Sequence, residues 1–122
     1  EWHLEEFERR SGILTALQLP ESELPLPDAL KIGLFRIFQE SLTNVARHSG
    51  AKKVDISLKQ EDKQLILTIK DNGNGFEEKP ETNKKTLGLL GMKERTMMMG
   101  GIYSIAGVKG EGTTVTVIVP LP

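Results

Sequence analysis

Three polar side chains are regularly spaced within residues 29–50, a stretch that also carries an apolar pattern. Glu40, Asn44 and His48 follow one another at intervals of four residues, so a helix would place them in one row. The apolar residues of this stretch also have helical spacing and predict a core-facing stripe. They are Leu30, Leu34, Ile37, Phe38, Leu42 and Val45. Because a carboxylate, an amide and an imidazole adjoin this stripe, we predict that the helix forms one wall of a polar site.

A second candidate segment, DNGNG at residues 71–75, follows a predicted strand. The carboxylate of Asp71, fixed at the end of a core strand, could accept a hydrogen bond from an amino group of a planar ligand. Gly73 and Gly75 would let the backbone approach that ligand without an intervening Cβ. A plain turn is the alternative, because Asn-Gly is common in tight turns. Taken alone, this segment favours the turn.

Two further glycine-bearing segments have the same ambiguity. Gly88-Leu-Leu-Gly91-Met92 opens a predicted helix, whose free N–H groups could bind an anion. Gly110-Glu-Gly112-Thr113 leads into the last predicted strand, where a hairpin turn is the simpler interpretation. The sequence contains no Walker A motif and no His or Cys pair at zinc spacing, which excludes a P-loop and a zinc site.

The remaining pattern predicts the elements that position these residues. We predict strands at 12–19, 53–59, 64–70, 102–106 and 113–119 and helices at 29–50 and 88–99. We expect residues 1–10 to be the end of a preceding helix or a linker, and the charged residues 77–86 to be a mobile loop. Gly33 marks close packing of its helix, and Met97, Met98 and Met99 pack against the core. This order indicates an α+β fold, a two-layer sandwich whose mixed, mainly antiparallel sheet is covered by helices on one face.

The composition excludes several classes of function. Of 122 residues, 16 are Lys or Arg and 17 are Asp or Glu, which gives a net charge of −1. Such a chain has no global basic field, so we expect neither nucleic acid nor a membrane surface as a partner of this domain. A phosphate compound would need a local site. The absence of cysteine excludes disulfides and thiolate chemistry. The sequence contains no apolar run of about 18 residues, so it predicts no membrane span.

The order of the motifs resembles the ATP-binding domain of the GHKL superfamily, which has the Bergerat fold. That superfamily includes sensor histidine kinases, type II topoisomerases, mismatch-repair ATPases and a heat-shock chaperone. QESLTNVARHS at 39–49 is similar to the N box of the histidine kinases, and DNGNGF at 71–76 to their G1 box. GLLGMKER at 88–95, with Gly100-Gly101, is similar to the G2 box. The combination resembles the class that pairs with helix-turn-helix response regulators of the NarL/LuxR type.

The resemblance implies a role for each candidate residue. Asn44 would bind Mg²⁺ on the ATP phosphates, and Glu40 would lie beside the γ-phosphate. Arg47 and His48 would lie near the phosphates. The other expected ATP-binding residues fall in the three glycine-bearing segments. Asp71 would hold the adenine amino group above Gly73 and Gly75, Thr113 would close the adenine side, and Gly88, Leu89, Gly91 and Met92 would meet phosphate. Residues 77–87 would be a lid, although Thr86 stands where the family usually has glycine.

The function implied is that of an ATP-binding catalytic domain, spanning residues 11–122, of a two-component sensor histidine kinase. It would transfer the γ-phosphoryl group of ATP to a histidine on a separate dimerisation domain of the same parent protein, with a response regulator downstream. We expect a fragment of a longer protein, since the chain begins at Glu1, and a cytoplasmic domain of a membrane-bound parent. Two alternatives are an anti-sigma-factor-like serine kinase and a nucleotide-sensing binding module of the same fold. The runs RHS after Asn44 and GMKER weigh against the serine kinase.

Overall fold

The computed structural model describes residues 2–19, 26–74 and 89–121, which form three helices and five strands. The helices are α1 (Trp2–Ser11), α2 (Asp28–Asn44) and α3 (Leu89–Met98). The strands are β1 (Leu14–Gln18), β2 (Lys53–Glu61), β3 (Gln64–Asp71), β4 (Ile102–Val108) and β5 (Gly112–Pro120). The predicted strands and helices are confirmed to within two residues at their described ends, except that α2 ends at Asn44 and a π-helical turn, Val45–Ser49, continues the predicted helix. The predicted lid, together with Gly75 and Gly88, lies outside the described residues.

The five strands form one sheet in the order β1-β2-β3-β5-β4. Strand β1 runs parallel to β2, and α2 makes the crossover between them, as a parallel pair requires. The other three pairs are antiparallel, and β2 and β3 form a hairpin in which Ile56 lies opposite Ile69. The predicted mixed, mainly antiparallel sheet is therefore confirmed. Because β3 is the central strand, its end at Asp71 lies in the middle of the sheet edge.

The core lies between α2 and one face of the sheet. The predicted stripe of α2 is confirmed, with Ile37 fully buried and Phe38 half-buried at its margin. Strands β2 and β3 alternate buried and exposed residues, so each contributes one face to the core. The residues that meet the stripe include Val54, Ile56, Leu65, Leu67 and Ile69. This packing fixes the position of α2 above the central strand.

Helix α3 packs beside α2, and one glycine allows the close approach. A Cβ built on Gly33 would lie 2.7 Å from the sulfur of Met99, so the predicted close packing at Gly33 is confirmed. The buried side chains of α3 are Met92 and Thr96, four residues apart, and Met99, directly after the helix, is partly buried. Met97 and Met98 lie on the opposite side and are 62% and 88% exposed, so the prediction that they pack against the core is wrong.

The first ten residues of the described chain form a helix rather than a linker. Leu4 of α1 is buried in the same core, and Phe7 packs against it. The side chain of Glu8 accepts a hydrogen bond from the N–H of Thr15 at 2.7 Å, which ties α1 to β1. Within the described ranges, no helix has the length and apolar character needed to cross a membrane.

Candidate functional site

Helix α2 changes its winding directly after Asn44. Residues Val45–Ser49 form a single π-helical turn, which we call the π-turn, and Gly50 ends it with a left-handed φ of +65°. The predicted row therefore holds for Glu40 and Asn44, which are both in α2, but His48 belongs to the π-turn. Glu40 is exposed and Asn44 half-buried. The π-helical turn is rare and frequently occurs at functional sites, so its position here is consistent with the predicted polar wall.

The neighbouring Arg47 also lies in the π-turn, and its side chain is exposed. It lines a cleft between α1 and α2 together with Phe7 and Phe38. The side chain of His48 lies outside what the structure describes. The predicted placement of both residues near a phosphate group stays a prediction.

The carboxylate of Asp71 is the most deeply placed acidic group of the described chain. It ends β3, is only 5% exposed, and its Oδ1 accepts a hydrogen bond from the N–H of Gly73 at 2.8 Å. The backbone N–H of Thr113 also donates to it. The structure therefore brings together three residues that the sequence places in two separate segments.

Burial raises the pKa of Asp71 above its usual value, and the two backbone hydrogen bonds, from Gly73 and Thr113, oppose this shift. A carboxyl group with a raised pKa in the folded state adds stability below its unfolded-state pKa. That stability is lost as the pH rises through the folded-state pKa. At neutral pH the buried carboxylate therefore lowers the stability of the fold, as expected for a residue kept for ligand binding.

Gly112 permits the contact between these two segments. Its φ is +121°, and a Cβ at this position would collide with the carbonyl oxygen of Asp71. A Cβ would also lie 3.2 Å from the Cα of Asn72. Only glycine combines this backbone angle with this approach, so Gly112 is needed where Thr113 reaches Asp71.

Asn72 is a structural residue of the site, although the sequence motifs assign it no role. Its Oδ1 accepts hydrogen bonds from the N–H groups of Lys52 and Lys53 at 2.9 and 3.0 Å. Its own N–H donates to the carbonyl of Lys53 at 3.2 Å. These bonds join the segment after the π-turn to the end of β3. Asparagine in a turn motif signals local hydrogen bonding, but the distant partner leaves no trace in the sequence.

The start of α3 contributes Gly91 and Met92, whose environments differ. Gly91 is exposed, and a Cβ built on it would meet no described atom within 4 Å. Met92 is buried, and its sulfur lies 3.5 Å from the hydroxyl of Ser41 on α2 and 3.9 Å from that of Tyr103 on β4. Burial raises the pKa of Tyr103, so its hydroxyl stays protonated and can donate to this sulfur. Met92 thus links three elements. The side chain of Leu89 is not described.

A cavity of about 400 Å³ lies between α2 and α3. Glu40 lines it from one helix, and Gly91 and Met92 line it from the other. The described residues that line it are Arg36, Gln39, Glu40, Thr43, Gly91, Met92 and Arg95. The structure therefore brings Glu40 together with the start of α3. Asp71 and Thr113 are not among the lining residues, so they form a separate part of the candidate site.

The described residues suit a metal ion only in combination with another ligand. They include no group of three His, Cys, Asp or Glu side chains that could hold a metal. Asn44 supplies a single amide oxygen, one turn from the carboxylate of Glu40. Mg²⁺ commonly takes few protein ligands and completes its shell with water and substrate phosphates. Asn44 would fit such a partial set.

Comparison with known proteins places the chain in a class. The family model described as "Histidine kinase-, DNA gyrase B-, and HSP90-like ATPase" matches residues 29–122, and the chain belongs to this family. The resemblance noted from the sequence motifs is therefore confirmed, and ATP is the ligand that the family implies.

The relatives are sensor kinases. The chain is 32% identical over 119 residues to the signal transduction histidine-protein kinase/phosphatase DegS of Brevibacillus brevis, covering 98% of this chain and 31% of DegS. It is 36% identical over 118 residues to the sensor histidine kinase LiaS of Bacillus subtilis, covering 97% of this chain and 32% of LiaS. The chain thus spans about a third of the length of these two relatives.

Solved structures confirm the fold. The blue-light activated histidine kinase EL346 of Erythrobacter litoralis aligns with a TM-score of 0.82 at 20% identity, over 97% of this chain and 39% of that one. The histidine kinase AdeS of Acinetobacter baumannii aligns with a TM-score of 0.80 at 20% identity, over 98% of this chain and 60% of the AdeS chain. The two-layer ATPase architecture is therefore shared with both.

Substitution of Gly91 separates stability from ligand binding. Glycine inside a helix is less favourable than alanine, and a Cβ here has open space. We expect Gly91→Ala to raise the free energy of unfolding by up to about 1 kcal/mol. If phosphate approaches this backbone, the added methyl group will weaken ATP binding by about tenfold. Thermal unfolding and ATP titration of the same preparation measure both effects.

The exposed Met98→Ala change in the same helix is the control, and it should leave ATP affinity unchanged. A more stable Gly91→Ala protein that binds ATP with normal affinity would show that phosphate does not contact Gly91.

Proposed function

We propose that the chain is the ATP-binding catalytic domain of a two-component sensor histidine kinase. It transfers the γ-phosphoryl group of ATP to a histidine on a separate dimerisation domain of the same parent protein. The observation that carries the proposal is the buried carboxylate of Asp71, held by the N–H groups of Gly73 and Thr113. The family membership and the names of the relatives support it.

Asp71 is proposed to recognise the adenine base. An ionised carboxylate can accept about four hydrogen bonds, and two of these positions are used by the backbone. The remaining capacity suits the exocyclic amino group of adenine. Gly73 and Gly75 then lie beneath the base without a Cβ, and Thr113 closes its side. The backbone hydrogen bonds fix the carboxylate before the ligand arrives, which reduces the ordering cost of binding.

The phosphate end of ATP is proposed to lie between α2 and the start of α3. Asn44 would provide an oxygen ligand to Mg²⁺, which offsets the charge of the phosphates when it is bound. Arg47 and His48 would add positive charge or hydrogen-bond donors. The N–H groups near Gly88, Leu89, Gly91 and Met92 would face phosphate oxygens, since a helix N-terminus favours anions. Residues 77–87 would act as the lid.

The transfer itself demands little covalent chemistry from this domain. An imidazole nitrogen of the acceptor histidine attacks the γ-phosphorus, and the bond from that phosphorus to the bridging oxygen breaks and releases ADP. Positioning and charge neutralisation supply most of the acceleration in phosphoryl transfer. Glu40, exposed at the cavity, is proposed to orient or polarise the imidazole.

We further propose the setting of the domain within its parent protein. Residues 11–122 form the ATPase domain, on the cytoplasmic side of a membrane-bound kinase. Its partners are the histidine-bearing dimerisation domain and, downstream, a response regulator of the NarL/LuxR class. The names of DegS and LiaS as histidine kinases favour this over the serine-kinase alternative.

Phosphotransfer by an Asn44→Asp variant tests the proposal. The added carboxylate repels the phosphates and replaces the neutral amide, so we expect transfer to fall by at least about a hundredfold while the fold is retained. The measurement is the transfer of label from γ-labelled ATP to the parent's dimerisation domain, with the acid-labile, base-stable product expected of phosphohistidine.

Gln60→Glu is the matched control, because it makes the same amide-to-carboxylate change at an exposed position near the far end of β2. It should transfer phosphate normally. Normal transfer by Asn44→Asp, or label on serine instead of histidine, would contradict the proposed role.

A further inference from the structure

Two arginines line the cavity between α2 and α3, and the proposed function gives neither a role. Arg36 lies one helical turn before Glu40 on α2, and Arg95 lies one turn after Gly91 on α3. Both residues line the cavity of about 400 Å³ that Glu40 also lines. Two helices from different parts of the sequence therefore bring two arginines to one cavity.

The charge of this cavity differs from that of the whole chain. Among the described residues that line it, two arginines against Glu40 leave a net charge of +1, whereas the chain carries −1. The other described lining residues are uncharged. A phosphoryl group beside a single carboxylate would be repelled, but guanidinium groups in the same cavity offset that repulsion. The cavity therefore favours an anion despite the presence of Glu40.

Both arginines are available for a ligand. In the described part of the chain, neither the side chain of Arg36 nor that of Arg95 makes a hydrogen bond or an ion pair. By contrast, Arg9 and Arg10 on α1 both pair with Glu6, at 3.0 and 2.9 Å. Arg36 precedes Glu40 by four residues, which is the weaker order for an ion pair within a helix. Its guanidinium group is thus not committed to Glu40.

The position of Arg36 along α2 indicates which part of a bound nucleotide would reach the two arginines. Asn72 ties the end of β3 to the segment after the π-turn, so Asp71 lies at the C-terminal end of α2. With a rise of 1.5 Å per residue, Arg36 is about 6 Å beyond Glu40 and about 12 Å beyond Asn44 along the axis. A ligand whose base contacts Asp71 would bring its far end to this cavity.

We infer that Arg36 and Arg95 form a clamp for the terminal phosphoryl group of ATP. This inference rests on the proposed function and extends it to two residues outside the predicted motif roles. The planar guanidinium group suits phosphate oxygens because it offers two parallel N–H donors. The clamp would hold the γ-phosphoryl group beside Glu40, where the acceptor imidazole must approach.

Affinities for ATP and ADP in two variants test the clamp. Arg36→Gln and Arg95→Gln should each weaken binding of a non-hydrolysable ATP analogue by about tenfold and change ADP affinity less than about twofold. Arg36→Lys should lose part of the affinity, because it keeps the charge but not the paired donors. Arg10→Gln removes a similarly exposed arginine from α1 and should change neither affinity.

Each other outcome rejects the clamp in a distinct way. An equal loss of affinity for ATP and ADP would show that the arginines contact another part of the nucleotide or act through the fold. Unchanged affinities with impaired transfer to the dimerisation domain would make the cavity a docking site for that domain. Unchanged affinities and normal transfer would leave the arginines without a function in the reaction. Failure of the wild-type chain to bind ADP would reject the proposed nucleotide site itself.

Discussion

Asp71→Asn is expected to weaken ATP binding by at least about a hundredfold while the domain stays folded. The carboxylate is 5% exposed and accepts hydrogen bonds from Gly73 and Thr113. An amide in its place offers an NH₂ group to partners that are themselves donors. Losing a charge-assisted bond and leaving a buried donor unpaired costs about 3 kcal/mol, which corresponds to about a hundredfold in affinity. Calorimetric titration with ATP measures the change.

Asp55→Asn is the matched control for this substitution. Asp55 lies on the neighbouring strand, is exposed, and pairs only loosely with Lys53 at 3.6 Å, so ATP affinity should be unaffected. A second readout uses the raised pKa of Asp71. Wild-type affinity should fall as the pH is lowered through that pKa, and the Asp71→Asn variant should lack this step. Unchanged ATP affinity in Asp71→Asn would remove Asp71 from the adenine site.

Gly112→Ala is expected to lower the free energy of unfolding by about 3 kcal/mol. The new Cβ would collide with the carbonyl oxygen of Asp71, and alanine disfavours the φ of +121°. The strand end would have to move, which also displaces the N–H of Thr113 from the carboxylate. Denaturant unfolding measures the stability, and ATP titration of the folded fraction measures the accompanying loss of binding.

Gly110→Ala separates backbone strain from collision. Gly110 has a φ of +83°, but a Cβ there would meet no described atom within 4 Å. This variant should lose only about 1 kcal/mol, the cost of a left-handed residue. An equal loss in the two variants would show that the close approach of Gly112 to Asp71 is not what requires glycine at this position.

The elements that position the site could be predicted because their patterns are local. The stripe of α2 repeats over several turns, and the alternation in β2 and β3 extends over whole strands. Gly33 was also predictable as a close-packing position, because a glycine inside a helix is unfavourable without a reason. Local patterns were thus enough to predict which faces of these elements are buried.

The connections within the site could not be predicted, since they join residues far apart in the sequence. Nothing near Asn72 indicates that its side chain binds the backbone of Lys52 and Lys53. Likewise, the contacts of the Met92 sulfur with Ser41 and Tyr103 link three elements. The exposure of Met98 was missed because three successive methionines suggest packing, although only one face of a helix can be buried.

Calorimetric titration of this chain with ATP, with and without Mg²⁺, tests the proposed nucleotide site directly. We predict that one nucleotide binds per chain, that affinity is higher with Mg²⁺, and that GTP does not compete, because guanine carries an oxygen where Asp71 would meet the adenine amino group. Absence of ATP binding up to concentrations on the order of millimolar, or equal binding of GTP, would contradict the proposed adenine site at Asp71.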